Sequence, residues 1–165
     1  MRKQLLFFSL SLLLISGLFA QRSRDSYQNA VGLRGGFLYG VNFKHFLNEQ
    51  SAIEAIAGTR WLGGSVTILY EYQQKTNFME HLDWFVGGGI HGGFYPAVSY
   101  PLGQDEVQTY TGVLPAVGFD GIVGLEYKIH VIPLSVGLDF KPFLDLVNGA
   151  RGFMDMGITI RYLIK

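Results

Sequence analysis

The stretch Met154-Asp155-Met156-Gly157-Ile158-Thr159-Ile160-Arg161-Tyr162-Leu163-Ile164-Lys165 closes the chain and decides how the rest is read. Met154, Met156, Ile158, Ile160, Tyr162 and Ile164 fall on one side of an extended backbone. Asp155, Gly157, Thr159, Arg161 and Lys165 fall on the other, joined by Leu163. Successive side chains of a strand point to opposite faces, whereas a helix groups residues three and four apart. The period here is two, so the segment is a strand with one apolar and one polar face.

The same pattern recurs upstream. Leu134, Val136, Leu138 and Phe140 oppose Ser135, Gly137, Asp139 and Lys141. Val117, Phe119, Val123, Leu125, Tyr127 and Ile129 oppose Gly118, Asp120, Gly124, Glu126 and Lys128. Leu82, Trp84, Val86, Ile90 and Phe94 oppose Asp83, Gly87, Gly89, His91 and Gly93. Val66, Ile68, Tyr70 and Tyr72 oppose Thr67, Glu71 and Gln73. Ile53, Ala55, Ala57 and Trp61 oppose Glu54, Gly58 and Arg60. Val41, Phe43 and His45 oppose Asn42 and Lys44, and Val31 and Leu33 oppose Gly32 and Arg34. Eight strands are predicted, over 29–38, 39–47, 51–61, 65–73, 82–96, 115–129, 132–146 and 152–165. Short turns at 48–50 and 130–131 and a medium one at 75–81 fall on one side. Connections at 62–64, 97–112 and 147–151 fall on the other, together with a tight one near Phe37-Leu38-Tyr39-Gly40. This is the connectivity of an up-and-down meander.

The first twenty residues read as a secretory signal. Arg2 and Lys3 precede an almost wholly apolar run from Leu5 to Ile15, and Ser16, Gly17 and Ala20 lead to a cut expected after Ala20. The expected organisation is a signal peptide over 1–20 and one barrel domain over 21–165. Beyond the signal no apolar run is long enough to span a bilayer as a helix, so a membrane form must be a closed barrel. Without Arg2 and Lys3, eleven of the thirteen Lys and Arg residues face thirteen Asp and Glu. There is no basic run, so nucleic acid is not an expected partner. The absence of cysteine excludes disulfides, zinc thiolate sites and a cysteine nucleophile.

Alternation alone also fits a soluble barrel with an apolar interior. Three features point the polar face inward instead. Glycine is concentrated on that face, where a narrow barrel needs room for large neighbours. The charges there are balanced, as an enclosed lumen requires: Arg34, Lys44, Arg60, Lys128, Lys141 and Arg161 against Glu54, Glu71, Asp120, Glu126, Asp139 and Asp155. Asp83, Asp145 and Lys165 share the face but sit at strand ends, where water is expected to reach them. Finally, Tyr72, Trp84, Tyr127 and Tyr162 fall on the apolar face near the short-turn ends, the level of a membrane-interface girdle. The predicted fold is an all-β, eight-stranded antiparallel up-and-down transmembrane β-barrel.

With Val31-Gly32-Leu33-Arg34-Gly35-Gly36, Lys44-His45-Phe46, Ala52 to Ala55, Tyr70-Glu71-Tyr72 and Trp84 to Gly89 in this arrangement, the chain resembles the small eight-stranded outer-membrane β-barrel proteins of Gram-negative bacteria. These include the OmpA transmembrane domain, OmpX and opacity-type proteins, and the flavour is nearest the small barrels of Bacteroidetes. The resemblance covers the whole mature chain and implies outer-membrane lipid and the barrel-assembly machinery as partners. It supplies no catalytic residues. One departure is the C-terminus, Tyr162-Leu163-Ile164-Lys165, where many such barrels end in an aromatic residue.

Candidate chemistry is sparse. Gly87 to Gly92 matches G-x-G-x-x-G, but inside a strand with no helix after it, so no cofactor is expected. His91 is expected in a lumen hydrogen-bond network, no serine is placed beside it, and the histidines show no metal-ligand spacing. The 95–113 segment, carrying Tyr100, Asp105, Glu106 and Tyr110, is the expected surface loop and the place for a partner. The expected role is structural or surface-interacting, without catalysis, in a monomer with a side-chain-filled polar lumen. A barrel enzyme acting on lipid or peptide and a soluble periplasmic carrier are the alternatives.

Overall fold

The computed structural model describes residues 27–60, 63–96, 113–147 and 151–164. Alternating β-formers separated by turn-forming residues give eight strands: β1 (Asn29–Gly36), β2 (Tyr39–Phe46), β3 (Ser51–Arg60), β4 (Gly63–Lys75), β5 (Leu82–Pro96), β6 (Val113–Ile129), β7 (Leu134–Asp145) and β8 (Arg151–Ile164). Each pairs antiparallel with the next, and β1 closes on β8 through Asn29↔Ile164 to Gly36↔Gly157. The result is a closed barrel with no edge strand. The start of β1 and the end of β8 share one end of the barrel with the 47–50, 76–81 and 130–133 connections. Every predicted strand is present, and the boundaries differ by at most three residues.

The tight β1–β2 connection is real: only Phe37 and Leu38 join the two strands. Its reason lies inside the barrel. Leu38, expected to end a strand, turns into the lumen and is 2% exposed. Its carbonyl accepts a hydrogen bond from Arg34 Nη1 at 2.8 Å, which ties the turn to the strand that leads into it.

The two faces separate as the alternation requires. Val31, Leu33, Val66, Ile68, Val86, Ile90, Val117, Phe119, Leu138, Met154, Ile158 and Ile160 are exposed on the outside, Met154 at 73%. Arg34, Lys44, Glu54, Glu71, Glu126, Asp155 and Arg161 are buried within. The lumen is not wholly polar, however. Inward positions that interrupt the pattern are filled by Ile56, Leu69, Phe85 and Ile122, which cluster with Leu38 into an apolar layer. A second apolar group, Tyr27, Ala30, Phe46 and Ala52 with Leu163 against it, closes the end where the termini lie. The Tyr27 and Phe46 rings meet edge to face at 4.9 Å. These residues fit a packed core: a strand facing inward needs bulk there, and polarity only where partners exist.

Candidate functional site

The lumen holds three hydrogen-bonded charge clusters. The first is built from β2, β3, β4, β6 and β8. Arg161 Nη2 lies 2.7 Å from Glu54 and Nη1 3.5 Å from Glu126. Lys44 Nζ lies 2.6 Å from Glu71 and 3.9 Å from Glu126, and it sits 4.6 Å from the centroid of the Phe85 ring, whose face attracts a cation. Asn42 Nδ2 donates to Glu54. Glu126 accepts from Ser135 Oγ at 2.6 Å, the Tyr27 hydroxyl at 2.8 Å and Gln73 Nε2 at 3.0 Å. Burial and the adjacent Glu126 carboxylate push the Tyr27 hydroxyl well above its usual range, so it acts as a donor. Lys128 and Asp83 extend the cluster toward the terminal end at 2.6 Å.

The second cluster joins β1, β7 and β8. Arg34 binds Asp139 through Nε and Nη2 and Asp155 through Nη1 at 3.0 Å, so one planar fork serves two carboxylates. The third joins β5, β6 and β7. His91 Nδ1 lies 2.6 Å from Asp120, its Nε2 2.6 Å from Asp145, and Lys141 Nζ 2.7 Å from Asp120. Lys141 also sits 5.2 Å from the Phe143 ring centroid.

Glycine makes these clusters possible. A Cβ on Gly157 would lie 2.5 Å from the Arg34 guanidinium, and one on Gly124 would lie 2.4 Å from the Phe85 ring. The bare backbone at these positions lets a large side chain from the neighbouring strand lie flat against the wall.

Of the twelve charged lumen residues read from the sequence, eleven are brought together in these clusters. The side chain of Arg60 falls outside the described residues, although its backbone pairs with Gly63 in the wall. Of the two carboxylates expected to meet water at strand ends, Asp83 is buried inside, while Asp145 stays partly exposed as it reaches into the lumen. Asp83 is 4% exposed and bound to Lys128 and Gln73, and Asp145 bridges to His91. Barrel shear is the reason, because residues at the ends of neighbouring strands sit at different heights and cover one another. With those two counted, carboxylates outnumber cations in the described lumen.

The outer belt carries the predicted aromatics. Tyr72, Trp84, Tyr127 and Tyr162 all point outward near the terminal end, and the Tyr72 and Trp84 rings approach to 6.0 Å. Phe37, Tyr39 and Phe94, which the sequence reading did not assign to an interface girdle, are exposed near the opposite end. The Phe94 ring lies against Gly64, where an added Cβ would meet it at 3.1 Å. From Gly64 to Tyr72 is eight residues of β4, or ~26 Å of strand and ~20 Å along an axis tilted by ~40°. Tyr100, Asp105, Glu106 and Tyr110 lie outside the described residues, as does the 1–20 segment.

Chemically the lumen binds itself. The Ser135 hydroxyl is committed to Glu126, and both ring nitrogens of His91 face carboxylates. Among the described residues no group of three or more His, Cys, Asp or Glu side chains is placed to hold a metal ion.

The fold is that of a small, closed, eight-stranded antiparallel β-barrel. The chain is similar to the N-terminal β-barrel domain of OprF from Pseudomonas aeruginosa, with a TM-score of 0.58 and 16% identity over 83% of this chain and all of that one. No family model matches the sequence, and no curated protein matches it.

Proposed function

We propose that this chain is an exported outer-membrane β-barrel with a structural or surface-interacting role and no catalytic activity, of the small kind met in Bacteroidetes. The observation that carries this reading is the inversion of the faces. Leucine, isoleucine, valine and methionine form the outer belt, while arginine, lysine and glutamate fill the interior. In water this arrangement would expose a continuous apolar surface and bury charge, both at a cost. In a bilayer it satisfies every strand edge and places the apolar band against hydrocarbon. Tyr72, Trp84, Tyr127 and Tyr162 then mark one interface. The ~20 Å from there to Phe94 is close to the ~25 Å apolar band of such barrels. The partners in this reading are outer-membrane lipid and the barrel-assembly machinery. Closure without an edge strand supports a monomer.

Detergent extraction followed by electrophoresis with and without boiling tests it. A band that migrates differently when unheated supports a membrane barrel, and recovery in the soluble periplasmic fraction without such a shift refutes it. The soluble-carrier alternative asks for an apolar interior, and most of the buried residues here are polar or charged. The lipid- or peptide-acting enzyme has no free nucleophile–base pair to draw on among the described residues. Its test is His91→Ala, with membrane lipid composition unchanged as the expected outcome. Any surface partner is assigned to the 97–112 connection with Tyr100, Asp105, Glu106 and Tyr110, so deleting that segment should leave the barrel folded while partner binding is lost. Export predicts a mature protein beginning at Gln21, which mass spectrometry of the outer-membrane form reads directly.

A further inference from the structure

The first lumen cluster does not balance as drawn. With the Lys128–Asp83 pair set aside, two cations, Lys44 and Arg161, face three carboxyl groups, Glu54, Glu71 and Glu126. All five side chains are at most 2% exposed, so neither bulk water nor counterions offset the excess. An uncompensated charge in such a place costs several kcal/mol, and a carboxyl group escapes that cost by keeping its proton.

The hydrogen-bond partners decide which of the three keeps it. Glu126 accepts from Tyr27, Gln73 and Ser135 and faces both cations. Glu54 accepts from Arg161 and Asn42. Glu71 has Lys44 alone, on Oε2, and its Oε1 meets no donor despite complete burial. The wall behind Glu71 offers nothing, since its register neighbours are Ala52 on β3 and Gly87 on β5. What Glu71 has beside it on the lumen face is Glu54, its diagonal neighbour across the β3–β4 ladder, and both side chains are fully buried. Glu54 Oε2 in turn has no N–H donor. Two facing carboxyl oxygens hydrogen-bond only if one of them carries the proton.

The geometry points to Glu71 as a neutral carboxylic acid at neutral pH, donating its proton to Glu54, so that Glu54 and Glu71 form a proton-sharing pair that closes the charge balance of this cluster. The groups facing the pair are Lys44 from β2, Glu126 from β6 and Arg161 from β8, with Asn42 of β2 on the Glu54 side and Gln73 one inward position along β4. This inference concerns the interior alone and stands whether or not lipid surrounds the barrel.

Infrared difference spectroscopy on the folded full-length protein at neutral pH is the test. Subtracting the Glu71→Gln spectrum from the wild type should leave one band of a protonated carboxyl carbonyl. Glu71→Gln should also fold with an unfolding midpoint equal to wild type, because the amide N–H replaces the acid O–H toward Glu54. A wild-type spectrum with no protonated-carboxyl band overturns the proposal whatever the variant does. So does a band that persists unchanged in Glu71→Gln. The remaining way to balance the site is a bound monovalent cation. That outcome would show as stability that rises several-fold in folding equilibrium constant with added sodium or potassium chloride but not with a bulky organic cation, and it too overturns the proposal.

Discussion

Arg161 bridges two lumen carboxylates, and its removal shows what burial does to charge. It pairs with Glu54 at 2.7 Å and with Glu126 at 3.5 Å, at 2% exposure. Replacing it with leucine keeps much of the volume but strands both carboxylates in the interior. Arg161→Leu should therefore lower folding stability by about 3–5 kcal/mol, read as a shift in the urea midpoint of the barrel refolded in detergent or vesicles. At Gly124 the penalty is steric. The Phe85 ring stands where a side chain would begin, so Gly124→Val should cost about 1–3 kcal/mol in the same measurement through overpacking. On the outer face the reasoning reverses. Ile158 sits midway along β8 and is 56% exposed. Facing lipid, Ile158→Arg should cost about 2–4 kcal/mol, whereas on a water-facing surface it would be close to neutral. A neutral result in vesicles would contradict the membrane reading.

At the scale of elements, the β1–β2 turn and the apolar layer beneath it act together. Leu38 enters the lumen from a two-residue connection and packs with Ile56, Leu69, Phe85 and Ile122 from β3, β4, β5 and β6. Phe85→Ala should lower stability by about 3–5 kcal/mol and should also loosen Lys44, which rests on that ring. The alternation in β8, β7 and β6 was legible because their outward residues are uniformly apolar and their inward ones mostly small or charged. Ile56, Leu69, Phe85 and Ile122 were not legible as lumen residues. A large apolar residue reads the same in sequence whether it faces lipid or a packed interior, and only the register of the neighbouring strands separates the two.

Across the whole molecule, the lumen clusters, the apolar layer and the plug of Tyr27, Ala30, Phe46 and Ala52 leave an interior occupied by its own side chains. An eight-stranded barrel has little room beyond that. Planar-bilayer recordings of the purified protein should accordingly show no large, steady conductance, and a stable open channel would refute an occluded lumen.

The sequence by itself determined the strand count, the order of the strands and the sense of the two faces, because period-two alternation and turn chemistry are local properties of the chain. It also assigned twelve charged side chains to the lumen, eleven of which have described side chains there, since a balanced polar face rich in glycine has few other uses. Only the tertiary structure decided which charges meet. Arg34 reaching Asp139 and Asp155, His91 joining Asp120 to Asp145, and Asp83 drawn in beside Lys128 all depend on how strands far apart in sequence are staggered around the barrel. That stagger is fixed by closure of β8 on β1, a global condition that no short stretch of sequence contains. The surplus carboxylate beside Lys44 and Arg161 arises from the same closure.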